Sequence, residues 1–564
     1  MNTAKLTPTQ RFWRLLEPDK KEITNVYVYA IFLGLVNLSL PLGIQAIINL
    51  IQGGQVSTSW VVLVAFVVIG IGLAGLFQIY QLRISEDLQQ RIFARAAFEF
   101  SYRIPRIRME SLYRHYAPEL MNRFFDTVSV QKGLSKILID FSSASIQVIF
   151  GLLLLSFYHP FFIAFSLLLM IIVIIFIKYM IPSGMKTSLK ESKHKYAVAH
   201  WLEEVARTST TFKLAGDSPL PMQKVDAHVS QYLKARTAHF SILMRHYTLL
   251  VVFKVLVALG LLAIGGYLVM EQHMNIGQFV AAELIILLVM NSVEKLILST
   301  ETIYDVLTAL EKIGQVTDLP LEKTEGVVLC GNDPWKGIEI ELQDIYFHYP
   351  GGSFDVIQGL DLSINAGERV LITGKNGSGK STLLQLIAGL YLPQEGQLSY
   401  DGYGVGSLNL NELQSVIGDS ISQEQLFEGT ILENVGMGRK EATMENIQWA
   451  FSELGLLEFI KNQENGYESH IDPQGRRLSR SIIQKLILAR SIADKPRLLL
   501  LEDSFEYLDN QERERIIEFI FNKVHPWTVV VISSSPDELA HVVDRTVVME
   551  YGRIITPSKG STKS

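Results

Sequence analysis

Residues 374–382 form a glycine-rich segment whose spacing is typical of a phosphate-binding loop. They read Gly-Lys-Asn-Gly-Ser-Gly-Lys-Ser-Thr and fit G-x-x-x-x-G-K-[ST] at every position. Glycines let backbone N–H groups close around phosphate oxygens, and the N-terminus of a following helix adds the positive end of its dipole. Lys380 is expected to reach the β- and γ-phosphates, and the Ser381 hydroxyl to bind Mg²⁺.

The flanks of this loop favour a nucleotide site over a glycine-rich turn that binds nothing. Residues 370–372 are an apolar run typical of a strand, and residues 383–390 predict a helix ended by a glycine. Strand, loop and helix in this order are the context that makes the motif specific. The residues predicted to bind the nucleotide here are Gly374, Lys375, Asn376, Gly377, Ser378, Gly379, Lys380, Ser381 and Thr382.

Composition divides the 564-residue chain into an apolar first part and a second part typical of a soluble α/β domain. The net charge of −6 gives no argument for a nucleic-acid partner. Cys330 is the only cysteine, which excludes a disulfide framework and a cysteine metal site. Residues 1–22 are polar and charged, so no signal peptide is expected; they predict a helix at the membrane interface or a solvated one.

Six apolar runs are each long enough to cross a hydrocarbon core of about 30 Å, which needs about 20 helical residues. Three connections, 52–56, 159 and 271–275, contain no Lys or Arg, whereas the other two loops are rich in both. The positive-inside rule therefore predicts a cytoplasmic-membrane protein with both termini and both basic loops in the cytoplasm. Buried helices of a large soluble protein are the disfavoured alternative. The predicted spans are 23–51, 59–82, 138–158, 160–182, 247–270 and 276–298.

Polar residues inside the predicted spans are Lys254, Glu283 and Asn291. Ionisable groups within a membrane are costly and often functional. Lys254 either snorkels, lies on a cytoplasmic extension or has a function, and Glu283 is a candidate to face an interior cavity.

The apolar runs and the changes in composition along the chain predict its domain boundaries. We predict a helix at 1–22, a transmembrane domain at 23–315, a linker at 316–337, an ATP-binding domain at 338–556 and a polar tail at 557–564. Alternating strands and helices after the linker predict a mainly parallel sheet flanked by helices.

Six spans, two long basic loops and one P-loop domain resemble an ABC exporter half-transporter. The resemblance implies a multidomain membrane protein: an all-α six-helix transmembrane domain with long cytoplasmic helical extensions, followed by an α/β P-loop nucleotide-binding domain. It implies ATP and Mg²⁺ as cofactors. Residues 347–350 match the family's A-loop, whose aromatic, here Tyr349, stacks on adenine. Residues 422–424 resemble the Q-loop, whose Gln423 reaches Mg²⁺ and the attacking water. Two further matches are residues 118–126, similar to the first coupling segment, and residues 508–509, the end of the D-loop.

Three catalytic elements depart from the family's pattern. The signature L-S-G-G-Q reads Leu-Ser-Arg-Ser-Ile at 478–482, which leaves Ser479 as the candidate contact with ATP in the opposite subunit. Glu502 and Asp503 replace Asp-Glu: Glu502 is expected to hold Mg²⁺ through water, and Asp503, the candidate general base, is one methylene short. Ser534 stands where the family has its switch histidine.

These departures predict an exporter subunit that binds ATP but hydrolyses it slowly or not at all. The resemblance implies a second half-transporter as partner, identical or different, within membrane lipid; a periplasmic adaptor is a further candidate. Three hypotheses remain open: a transport ATPase in which the variants are tolerated, a non-hydrolysing ATP-gated regulatory or scaffolding subunit of a larger export complex, and a channel with a vestigial domain. The sequence does not specify the substrate.

Overall fold

The computed structural model describes residues 6–52, 58–113, 115, 117–329, 336–421 and 426–555. Gln423, Cys330 and the predicted tail lie outside this part of the chain. Contacts divide the molecule into two units: Met1–Pro105 with Tyr116–Leu319, and Arg106–His115 with Pro320–Ser564. Residues 106–115, although inside the predicted transmembrane domain, therefore belong to the second unit.

The regular elements among the described residues of the first unit are all helices. Its longest helix has 51 residues, which at about 1.5 Å per residue is more than twice the length that a hydrocarbon core requires. The helices of the first half of the chain are α1 Pro8–Leu16, α2 Lys20–Gln52, α3 Thr58–Arg103, α4 Met109–Leu112, α5 Ala117–Met121, α6 Asp126–Lys136, α7 Ser142–Ser156, α8 Pro160–Arg207, α9 Ser209–Leu214, α10 Leu220–Met270 and α11 Ile276–Thr317. Of these, α4 belongs to the second unit.

Among the described residues, five helices are long and apolar enough to span a membrane. They contain the first, second, fifth and sixth predicted spans, and the third as far as Ser156. The fourth predicted span, 160–182, lies within α8. The apolar helical stretch identified there among the described residues is shorter, Pro160–Phe176. The helical, multi-span character of this unit is as the sequence predicted. The five helical segments are Pro8–Gln52, Thr58–Arg106, Ala117–Ser156, Leu220–Met270 and Ile276–Thr317.

Two polar networks lie inside the first unit. The Lys254 ammonium donates to the Glu294 carboxylate at 2.5 Å, so its charge is paired rather than only snorkelling, and Glu294 was not singled out from the sequence. In the predicted coupling segment, Arg123 donates to Glu119 at 2.9 Å. Asp126 of the same segment accepts a hydrogen bond from Tyr196 of α8. These residues of the segment thus make an ion-pair and hydrogen-bond network within their own unit.

The second unit is built on a six-stranded sheet in the order β12-β11-β3-β10-β9-β6, parallel except for β12. This is the mainly parallel sheet that was predicted. An antiparallel four-stranded sheet, β2-β1-β4-β5, and a β7-β8 pair were not. The strands are β1 Ile340–Phe347, β2 Ile357–Ile364, β3 Arg369–Thr373, β4 Glu395–Tyr400, β5 Tyr403–Gly404, β6 Ile417–Ser420, β7 Gly429–Thr430, β8 His470–Ile471, β9 Leu498–Glu502, β10 Thr528–Ile532, β11 Arg545–Glu550 and β12 Arg553–Ile555. The helices are α12 Lys380–Ile387, α13 Leu410–Ser415, α14 Ile431–Gly436, α15 Met444–Glu453, α16 Leu457–Lys461, α17 Arg480–Ile492 and α18 Asn510–Ile520.

Candidate functional site

The glycine-rich loop connects β3 to α12, as the flanking sequence predicted. Gly374, Gly377 and Gly379 have φ angles of 147°, 80° and 97°, which side chains on L-residues disfavour. A Cβ on Gly374 would also lie 2.1 Å from the carbonyl oxygen of Met549. The glycines are therefore required by the backbone of the loop.

The loop presents polar groups suited to phosphate oxygens. Lys380 Nζ donates to the carbonyls of Gly374 at 2.8 Å and Lys375 at 3.1 Å, so the ammonium lies across the loop. The Ser378 hydroxyl is buried and has no hydrogen-bond partner among the described residues. A buried polar group without a partner is costly, and a phosphate oxygen would satisfy it. The Lys375 ammonium lies 3.4 Å from Glu550.

A cavity of about 640 Å³ joins the loop to the ends of β9 and β10. β10 lies between β3 and β9 in the parallel sheet, so the carboxyl ends of the three strands meet at the same edge. The cavity brings together most of the predicted ligands with three of the four predicted catalytic residues. Its lining is Val356, Thr373, Gly374, Asn376, Gly377, Gly379, Lys380, Ser381, Thr382, Glu502, Asp503, Ile532, Ser533, Ser534 and Pro536.

The candidate metal-binding groups are Ser381 and Glu502. The Ser381 hydroxyl donates to the carboxylate of Glu502, whose side chain is buried at the end of β9. A hydroxyl and a carboxylate are the hard oxygen donors that Mg²⁺ prefers. The pair therefore fits a Mg²⁺ ion. The other predicted metal ligand, Gln423, lies outside the described residues.

Asp503 is held by hydrogen bonds from several directions. Its φ angle is 48°, and its backbone N–H donates to the Ile532 carbonyl at 3.0 Å. The Gln484 amide donates to its carbonyl at 2.9 Å. Its carboxylate accepts a 2.6 Å hydrogen bond from the backbone N–H of Ser534. One carboxylate oxygen is thus engaged by the backbone of the neighbouring loop.

Tyr349, the predicted adenine-stacking aromatic, lies beside the first turns of α12. Its hydroxyl donates to Gln385 Oε1 at 2.9 Å and lies 3.0 Å from the Thr382 hydroxyl. Burial raises the pKa of Tyr349 above its ordinary value, so the hydroxyl keeps its proton and remains a donor. The ring is therefore fixed relative to the phosphate-binding loop.

Ser479 is not among the residues that line the cavity. Its hydroxyl caps the N-terminus of α17, accepting from the Ile482 N–H at 3.3 Å. The next residue, Arg480, places its guanidinium carbon 5.0 Å from the ring centre of Tyr507, a cation–π distance. The signature segment and the loop after β9 are thus joined through the side chain of Arg480, at a position where the family's signature has a glycine.

Sequence reasoning missed several residues of this site. Gln484 bridges two segments, since its amide also accepts from the Tyr507 N–H at 3.0 Å. Gln385 fixes Tyr349, and its signal was its position one helical turn after Ser381. Tyr507 gave no signal, because cation–π partners have no characteristic spacing in sequence.

Comparisons with known proteins relate both units of the chain to ABC transporters. Family models described as "ABC transporter" and "ABC transporter transmembrane region" match residues 357–506 and 23–293, which together are most of the chain. The alpha-hemolysin translocation ATP-binding protein HlyB of Escherichia coli is 27% identical over 296 residues, covering 52% of this chain and 41% of that protein. The putative multidrug export ATP-binding/permease protein YgaD of Bacillus subtilis is 29% identical over 300 residues, covering 53% and 51%.

The aligned part of this chain thus covers about half of the length of YgaD and less than half of the length of HlyB. A solved structure of a bacterial Atm1-family ABC exporter with ATP bound is similar over 95% of this chain and 94% of that one, with a TM-score of 0.78 and 17% identity. That likeness extends the shared fold across both units.

Proposed function

Because this chain belongs to the ABC transporter family, we propose that it is an exporter subunit that binds ATP and Mg²⁺ and hydrolyses ATP slowly or not at all. The observation that carries the proposal is the contrast within one cavity. The phosphate-binding loop keeps its glycines, Lys380 and Ser381. The Asp503 side chain, in contrast, is one methylene shorter than the family's glutamate and is hydrogen-bonded to the Ser534 backbone.

Binding rests on the chain's own donors. The loop N–H groups and the Lys380 ammonium hold the triphosphate, and the face of Tyr349 stacks on the base. Ser381 and Glu502 hold Mg²⁺, which neutralises charge on the phosphates when bound. We assign the same role in metal binding to Gln423, on the family's pattern.

We expect weak hydrolysis because the Asp503 carboxylate is poorly placed to activate the attacking water. A general base has to lie within hydrogen-bond reach of the water that it activates. The Asp503 carboxylate is one methylene shorter than the family's glutamate and is held at the backbone of Ser534. A misplacement on the order of 1 Å can reduce a rate by about 10²-fold. Ser534, in place of the histidine, has no side chain long enough to hold the γ-phosphate in line.

We assign the chain to the cytoplasmic membrane, with both termini and both basic loops in the cytoplasm and a second half-transporter as partner, identical or different. Ser479 would serve the ATP of that partner. A non-hydrolysing, ATP-gated subunit of a larger export complex is the second candidate. The Arg480–Tyr507 contact favours it, because it fills with side chains a region where the family needs close backbone approach to phosphate.

The test compares binding with turnover in one preparation. Full-length protein in lipid nanodiscs is titrated with Mg·ATP by calorimetry, and steady-state phosphate release is measured on the same sample. We expect saturable ATP binding with turnover far below about 1 s⁻¹, the low end for ordinary enzymes. No ATP binding, or turnover at or above that rate, would contradict the proposal.

A further inference from the structure

Tyr349 is stacked against another tyrosine of the second unit, Tyr113. The two ring centroids are 5.0 Å apart and the planes differ by 14°, which is the geometry of an offset stack. Tyr113 is far from Tyr349 in the sequence and carries no motif. The docking of residues 106–115 on the second unit is what brings its ring to the predicted base-binding ring.

Tyr113 covers one face of the Tyr349 ring and is itself exposed. Phe347 and Tyr391 lie nearly perpendicular to the Tyr349 ring, with centroids 5.1 Å and 5.4 Å away. Both are core residues, 0% and 4% exposed, so these contacts lie on the buried side of Tyr349. Tyr113 itself is 54% exposed and therefore lies on the side that solvent and a ligand can reach.

The two rings leave no space for a base between them. Stacked bases lie roughly 3.4 Å apart, so a base inserted between two rings would hold them roughly 7 Å apart. The Tyr349 ring is also fixed by its hydroxyl contacts with Thr382 and Gln385. Stacking of a base on the face that Tyr113 covers therefore requires Tyr113 to move away.

Tyr113 is presented by a segment that is docked on the second unit. The Arg108 N–H donates to the Pro320 carbonyl at 3.1 Å, and the Glu322 N–H donates to the Arg106 carbonyl at 2.8 Å. The Glu110 carboxylate accepts from the Leu392 N–H at 3.4 Å. None of these contacts involves the ring of Tyr113, so the segment is held by groups other than the stack.

We propose that Tyr113 is a competitor of the purine base: it covers the stacking face of Tyr349 and lowers the affinity for ATP until the base displaces it. The inference rests on the proposed binding of ATP at residues 374–382. It predicts a cost that depends on the base, because the phosphates bind to the loop and do not touch Tyr113.

The test is calorimetric titration of full-length protein in nanodiscs with Mg·ATP and with Mg·tripolyphosphate, which has no base. Tyr113→Ala is expected to lower the Kd for ATP by about 2- to 10-fold, the range of one aromatic pair, and to leave the Kd for tripolyphosphate unchanged. Tyr113→Phe keeps the ring and is the matched control; it should bind ATP as the wild type does.

A second background separates competition from an indirect structural effect. In Tyr349→Ala protein no ring remains to be uncovered, so adding Tyr113→Ala should leave ATP affinity unchanged. Tighter ATP binding in that background, or an unchanged or weaker ATP affinity of Tyr113→Ala alone, would overturn the inference. If no variant binds ATP while tripolyphosphate still binds, the proposed function and this inference both fail. Equal ATP binding by wild type and both Tyr113 variants overturns the inference alone.

Discussion

The Asp503 carboxylate accepts a 2.6 Å hydrogen bond from the Ser534 backbone N–H. The family resemblance places the general base at the first position and the switch histidine at the second. Here the two departures occur at positions in direct contact. Changes at contacting residues are not additive in general, so they have to be tested together.

The double change Asp503→Glu with Ser534→His is expected to raise ATP turnover by more than the product of the two single changes. The longer carboxylate regains its reach toward water, and the histidine supplies a group that can hold the γ-phosphate. Groups that act as a unit are strongly non-additive. Steady-state phosphate release of wild type, both single variants and the double variant in lipid measures the effect. Single changes that account for the whole gain would contradict the interpretation.

Lys380→Ala should weaken ATP binding by about 10- to 100-fold, the effect of removing a hydrogen-bonding charge. The ammonium lies across the loop, on the carbonyls of Gly374 and Lys375. Lys461→Ala is the matched control, because that lysine is exposed on α16 and does not line the cavity. Calorimetry with Mg·ATP compares the three proteins. Equal losses from both substitutions would mean that general charge, rather than the position of Lys380, sets the affinity.

Reporter fusions after Gln52 and after Lys213 should report opposite sides of the membrane. The first position follows a span whose outer connection lacks Lys and Arg, and the second lies at the tip of a basic loop, in α9. Paired periplasmic and cytoplasmic reporters at both sites measure the orientation. The same side for both fusions would overturn the proposed topology.

Asp494 should make the stability of the second unit depend on pH. Burial raises the pKa of this carboxyl to about 6, although its salt bridge with Arg439, at 2.7 Å, opposes the shift. Its side chain is 4% exposed, and its other oxygen has no hydrogen-bond partner among the described residues. Because the folded pKa lies above the ordinary value, the stability associated with the neutral carboxyl is complete below about pH 4 and is lost as pH rises through about 6.

Asp494→Asn should therefore gain thermal stability relative to wild type as pH rises from about 4.5 to 7.5, by at most about 3 kcal/mol. Thermal unfolding of both proteins across that range measures the difference. Glu458→Gln, a change at an exposed carboxylate on α16, is the control. A difference that stays constant with pH would show that Asp494 is not the titrating group.

Local sequence determined the elements that depend on neighbouring residues. The glycine loop, its strand and its helix were predictable because positive φ angles and a phosphate cradle require particular residues at fixed spacing. The long apolar helices were predictable because a hydrocarbon core demands continuous apolar length. The altered residues Glu502, Asp503 and Ser534 could also be identified, because each is counted from a nearby motif.

Only the tertiary structure decided which distant side chains meet. Lys254 was recognised as an ionisable residue in a span, but its pairing with Glu294 depends on how two helices pack. The stack of Tyr113 on Tyr349 depends on where one connecting segment docks. The Asp503–Ser534 bond depends on the register of two parallel strands. Such contacts leave no periodic signal in one sequence, because packing and strand register are fixed by the sum of many weak interactions across the whole core.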